Sequence, residues 1–207
     1  MTAPLVAYRD DGPLATAVRR AGMVDVGSVA LTSLGVAAVA AGLLVDGTTT
    51  GPASYAGIVL FVAAAAGGAA GRCNPRVQWF VPPLLRLGEY MTIAILAWRV
   101  DTTTTAVAFA LLGVIAFHHY DIVYRLRHQH TTPSHVVSQL CLGWDGRTIL
   151  VAVATATGVL QPTLIVLAAW CGALYVSESL RSWAVLALDS TRVAHAGAVV
   201  DEEDAVQ

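Results

Sequence analysis

VGSVALTSLGVAAVAAGLLV, residues 26–45, is an uncharged run of 20 residues between Asp25 and Asp46. Wound into an α-helix it covers about 30 Å, the hydrocarbon thickness of a bilayer. It is too long for a secretory leader and lacks a small-residue cleavage site followed by polar sequence. A membrane span is the direct reading. Outward from it, residues 53–71 form a second apolar run, with small residues densest over 63–71, where helix backbones would approach closely. Pro82 and Pro83 open a third, because proline is tolerated at a helix start and not inside one. That helix runs to about residue 98 and carries Arg86 and Glu89 in its first turns. Residues 103–124 make a fourth span.

Residues 149–177 are the ambiguous stretch, long for one span and short for two. Pro162 falls inside it and should end or kink a helix. Two short helices, 146–160 and 162–181, are expected; one kinked, tilted helix is the alternative. The fold class is therefore all-α: a polytopic membrane helical bundle of about six transmembrane helices, five in the alternative. Residues 1–25 form an N-terminal segment, 26–181 the bundle, and 182–207 an acidic C-terminal tail.

Composition supports this. The 207 residues are 56% hydrophobic and only 13% charged, against about 45–50% and 25% in soluble domains. Lysine is absent, all 12 basic residues are arginine, and the net charge is −2. A basic nucleic-acid binder is excluded and a soluble enzyme disfavoured. Six spans with a cytoplasmic N-terminus put every arginine except Arg99 on or near the cytoplasmic side, as the positive-inside rule requires. The expected location is the cell's inner (plasma) membrane, with both termini cytoplasmic. Cys73, Cys141 and Cys171 have neither disulfide-framework nor metal-ligand spacing.

Charge converges on the cytoplasmic ends of the helices. Ionisable groups at membrane depth are costly unless paired, placed beside a wet cavity, or able to snorkel. In HHYDIVYRLR, residues 118–127, the spacing puts His118, Asp121 and Arg125 on one face. His118 suits general acid–base work, and Asp121 suits orienting it or holding Mg2+. His119 points elsewhere on this reading. An Asp121–Arg125 pair with an interfacial tyrosine belt is the plain alternative. Glu89 is a candidate base or metal ligand, and its plain alternative is a pair with Arg86, three residues away. In GWDGRTIL, residues 143–150, Asp145 reads as an N-cap, and Arg147 stands at a positive helix end that wants an anion. Glu178 and Arg181 are three apart and read as a simple pair. His128, His130 and His135 read as a solvated loop.

The candidate catalytic residues are thus His118, Asp121 and Glu89. Arg86, Arg125, Arg147, Tyr124, Arg76 and Arg72 are candidates for substrate binding, since guanidinium forks match phosphate oxygens. Asp121, Glu89 and Asp145 are the candidate metal ligands, with Mg2+ the ion. Lipid headgroups and positive-inside bias account equally well for the loop arginines. Phosphate-loop, HExxH, GxSxG and CxxC signatures are missing, as are the aspartate-rich motifs of membrane prenyltransferases and the long CDP-alcohol phosphotransferase pattern.

HHYDIVYRLR followed by GWDGRTIL resembles an actinobacterial membrane family, the DUF5941 domain. His118, Tyr120, Asp121, Tyr124 and Arg125 match its H-x-Y-D-x-x-Y-R element, and Gly143, Trp144, Asp145, Gly146 and Arg147 its G-W-[DE]-G-R element. The resemblance implies company with CDP-alcohol phosphotransferase-type enzymes, and hence phosphorylated polyols, phospholipids or their precursors. The leading expectation is a membrane enzyme acting on a phosphate- or diphosphate-bearing lipid, polyol or precursor at the cytoplasmic face, as phosphatase or transferase. The alternatives are a non-catalytic lipid-binding or scaffolding subunit of a phospholipid-synthesis system, and a prenyl-diphosphate cyclase or transferase. Expected partners are membrane lipids, a phosphorylated small molecule or lipid, and a CDP-alcohol phosphotransferase-like enzyme or a second copy; nucleic acid is not among them. An enzyme predicts a cavity where His118, Asp121, Glu89 and Arg147 meet. A scaffold predicts the same groups neutralised in pairs.

Overall fold

A computed structural model of the chain describes residues 8–22, 28–70, 76–129, 131–132 and 134–204. Among them there are helices and no strands. In chain order they are α1 (Pro13–Ala21), α2 (Ser28–Asp46), α3 (Pro52–Ala70), α4 (Val81–Val100), α5 (Thr102–Tyr124), α6 (His135–Leu140), α7 (Gly143–Ala156) and α8 (Leu160–Asp204). Five helical stretches are long and apolar enough to cross a membrane, and Pro52–Gly68 is a sixth, shorter apolar helix. The helical membrane bundle is as expected.

α2 and α3 form the tightest pair, and glycine is the reason. A Cβ on Gly42 would lie 2.2 Å from the Ala53 carbonyl oxygen, and one on Gly57 would lie 2.6 Å from that of Ala38. Only bare backbones reach such separations. The turn between these helices is closed by Asp46, whose carboxylate accepts from the amides of Gly51 and Ser54 at 3.0 and 2.6 Å. Arg99 reaches across from α4 and donates to the carbonyl of Gly47 at 2.7 Å and to Ser54 Oγ at 2.9 Å. A cation at the C-terminal end of α2 complements the carbonyls exposed there.

Pro82 and Pro83 lie in the first turn of α4, as their chemistry requires. Asp101 starts α5 by accepting from the Thr104 amide at 2.7 Å. These bonds hold the Asp101 carboxyl below its ordinary value, the Thr104 amide contributing most. α5 runs on into a π-helical turn, Arg125–Gln129.

The ambiguous segment is two helices. α7 ends at Ala156, Gly158 takes a left-handed φ of 74°, and the Val159 amide returns to the Ala154 carbonyl at 2.9 Å. Pro162 then lies in the first turn of α8, where it displaces no helical hydrogen bond. The five-helix alternative is thereby removed. α7 starts at Gly143, three residues before the expected 146, and α8 continues as helix through Asp204 instead of yielding to a tail at 182. No proline interrupts residues 163–204.

α1 is short and docks sideways on the bundle. Its ends follow local rules, with Pro13 at the first position and Gly22 left-handed at the C-cap. Its N-terminal cap comes from elsewhere: Asp145 of α7 accepts from the amides of Gly12, Leu14 and Ala15 at 2.6, 2.8 and 3.1 Å. Asp145 does not cap its own helix, because Leu142, with a φ of 66°, holds that position.

Candidate functional site: a buried ion network

The charged residues gather in two clusters at the arginine-rich end of the bundle. The larger centres on Arg147, whose side chain is wholly buried. Its Nε donates to Glu89 Oε1 at 2.6 Å and its Nη2 to Asp10 Oδ2 at 2.9 Å. Nη1 donates to the Cys141 carbonyl at 3.2 Å and the Tyr175 hydroxyl at 3.0 Å. The anion this helix end calls for is therefore supplied by the protein's own carboxylates.

Two histidines face the same aspartate. His118 Nε2 lies 3.6 Å from Asp10 Oδ1, and His119 Nε2 lies 3.8 Å from Asp10 Oδ2. His118 stacks flat on Tyr175, with ring centroids 3.7 Å apart. His119 shares a 3.0 Å hydrogen bond through Nδ1 with the Tyr90 hydroxyl. Asp10 Oδ1, His118 Nε2 and Glu89 Oε2 are buried without a partner at hydrogen-bond distance. His119, read as pointing elsewhere, is part of the cluster, and Glu89 pairs with Arg147 instead of Arg86.

Asp10 stands outside the spanning helices, and burial alone would raise its carboxyl. The Arg147 charge, then His118 and His119, outweigh burial and hold it well below the ordinary carboxylate range. A depressed folded-state value stabilises the fold above the unfolded value, about 3.9, and that gain disappears only as pH falls toward the folded value. Asp10→Asn should therefore lower the unfolding midpoint throughout pH 5 to 8, because the Arg147 charge, the largest favourable cause, does not titrate there. The difference should shrink only below about pH 4. Circular dichroism melts in detergent check this, and a difference that vanishes by pH 6 would refute it.

The smaller cluster joins α5 to α8. Arg125 pairs with Asp121 one turn back, at 2.5 Å between Nη2 and Oδ2, and with Glu178 at 3.4 Å. Ser179 Oγ donates to Asp121 Oδ1 at 3.1 Å, and Glu178 accepts from the Ser134 amide at 2.7 Å. Glu178 thus pairs with Arg125 and not with Arg181. His118 and Asp121 share a helix, but the structure sends them to different partners.

Asp121, Glu89 and Asp145 do not come together: one faces Arg125, one Arg147, and one the amides of α1. Among the described residues no three His, Cys, Asp or Glu side chains are grouped to hold a metal ion. Tyr124 packs in an aromatic contact with Trp183 and His128, with centroids at 5.4 and 4.7 Å. Arg76 and Arg127 are exposed, while Arg72, His130 and Cys73 lie outside the described residues. Cys141 and Cys171 are free and buried.

The residues missed from the sequence are those of YRDDG, residues 8–12. Asp11 accepts from Trp144 Nε1 at 3.2 Å and pairs with Arg9 and Arg19, and Gln139 donates to the Asp11 carbonyl at 2.8 Å. Two adjacent carboxylates before a Gly-Pro helix start were the available signal.

A family profile described as a family of unknown function, DUF5941, matches residues 2–205. The chain belongs to the DUF5941 family. The match takes in the YRDDG segment as well as the two elements that carried the resemblance, so the domain includes the N-terminal segment that completes the ion network. No curated protein and no solved structure matches the chain.

Proposed function

We propose that this DUF5941 chain is a non-catalytic membrane bundle, a lipid-binding or scaffolding subunit, whose buried charges are architectural. One observation carries the proposal: Glu89, Asp121 and Asp145 are each engaged by a protein partner, and Arg147 and Arg125 are engaged by carboxylates. Groups spent in this way are not free to neutralise a phosphate or hold a metal. The lipid side of the proposal draws on an apolar groove of about 440 Å³ between α3 and α7, lined by Leu14, Tyr55, Val59, Ile149 and Val153 among others. Its volume is that of a small-molecule site, and its walls suit an acyl chain. The arginine-rich end faces the cytoplasm in this proposal, in the plasma membrane, beside a CDP-alcohol phosphotransferase-type enzyme.

A phosphate-handling enzyme is the second reading, favoured by the Asp10–His118–His119–Tyr90 set next to Arg86. Lipid and metabolite mass spectrometry separates the two. A deletion strain would be complemented with wild type or with His119→Gln at equal protein level. The proposal expects the deletion to alter the phospholipid profile and the variant to restore it. Build-up of one phosphorylated compound in the variant would overturn it in favour of catalysis.

A further inference from the structure

Arg86 differs from the other arginines of the bundle. Arg147 and Arg125 are neutralised by carboxylates, and Arg99 is bound to helix-end carbonyls. Arg86 donates once, from Nη2 to the Tyr8 carbonyl at 3.0 Å. Its Nε is buried and has no partner. Among the described residues no carboxylate lies within ion-pair distance of it, since Glu89 and Asp10 are held by Arg147. A buried guanidinium donor left without an acceptor at the edge of a membrane is expensive, and what is missing is an acceptor for that Nε.

Position says where that acceptor comes from. Arg86 is in the second turn of α4, and Trp79 and Phe80, just before that helix starts, stack at 3.7 Å and are 55% and 43% exposed. Exposed aromatics at a helix entrance mark the headgroup level. Side chains on a helix lean toward its N-terminus, so Arg86 reaches back toward that level. Leu87, 54% exposed beside it, offers apolar surface for a chain.

We propose that Arg86 is a phosphate site approached from the lipid side, taking the headgroup phosphate of a membrane phospholipid. A guanidinium fork with an unused Nε matches two phosphate oxygens. The site rests on the lipid-binding reading above and gives it a headgroup position.

The test uses the full chain in maltoside detergent, which carries no phosphate, as wild type, Arg86→Gln and Arg20→Gln. Arg20 is an exposed cation on α1 and serves as the charge control. Unfolding midpoints would be followed against phosphatidylglycerol and, separately, inorganic phosphate. At about 100 times the dissociation constant, phosphatidylglycerol should raise the wild-type midpoint by roughly 5–10 °C. Arg20→Gln should keep the shift and Arg86→Gln lose it. An equal response of wild type to inorganic phosphate would make a soluble phosphate the ligand and overturn the lipid assignment. A full shift in Arg86→Gln would overturn Arg86 as the seat and leave lipid binding standing. A wild type unmoved by either probe would overturn the lipid-binding reading as well.

Discussion

Arg147→Met should cost the bundle about 3–5 kcal/mol, the usual price of leaving buried charges without their partner. Stability of a domain is only about 5–15 kcal/mol in total, so little folded protein should accumulate. The reason is geometric. One guanidinium serves Glu89, Asp10, the Cys141 carbonyl and the Tyr175 hydroxyl, and these belong to α4, the N-terminal segment, the α6–α7 link and α8. Removing it strands two carboxylates in an interior that excludes water and frees four parts of the fold at once. Arg147→Lys should recover little, since an ammonium offers three donors from one nitrogen and cannot span a planar fork. Combining Arg147→Met with Glu89→Gln and Asp10→Asn should recover much of the loss, because the stranded charges go with their partner. Denaturant titration in detergent measures each case. An Arg147→Met chain within 1 kcal/mol of wild type would show that the network is peripheral to the fold.

The legible and illegible parts of this chain follow from the range of the forces involved. The spanning helices could be read because their signal is local: a long uncharged run has one solution in lipid. Pro162 is an intermediate case. Its effect on the backbone was certain, but whether it kinks one helix or opens another depends on the Gly158 turn four residues earlier. The convergence of charge at one end was also legible, because helix ends are periodic markers along the chain. What the charges bind there was not. Arg147 at a positive helix end demands an anion, and a phosphate or a distant carboxylate satisfies the demand equally. Asp10 meets Arg147 across 137 residues and Asp145 caps α1 across more than 130, and no spacing rule reaches that far. His119 was misplaced for a related reason. Its face was inferred from helix geometry alone, while Tyr90 and Asp10, which fix it, come from other segments.

Gly143→Ala should cost about 2–5 kcal/mol, from left-handed strain together with overpacking. Gly143 has a φ of 57°, and a Cβ there would lie 2.2 Å from the Gly12 amide nitrogen and 2.7 Å from the Asp10 carbonyl oxygen. The facing residue is as constrained, since a Cβ on Gly12 would lie 2.0 Å from the Leu142 carbonyl oxygen. Backbone meets backbone on both sides, so neither can give by turning a side chain. The contact seats the Trp144 amide on the Asp10 carbonyl at 3.2 Å and brings Asp145 to the start of α1. Separating these chains by even an ångström would draw Asp10 away from Arg147 and release the α1 cap together with it. Gly22→Ala is the control: its φ of 63° carries similar strain, but nothing lies within 4 Å, so about 1–2 kcal/mol is expected. Limited proteolysis should then cut the segment before α2 in Gly143→Ala and spare it in Gly22→Ala, with unfolding midpoints in the same order. Equal behaviour of the two variants would mean that the N-terminal segment docks without this contact, and that the ion network does not depend on where residues 10–12 are held.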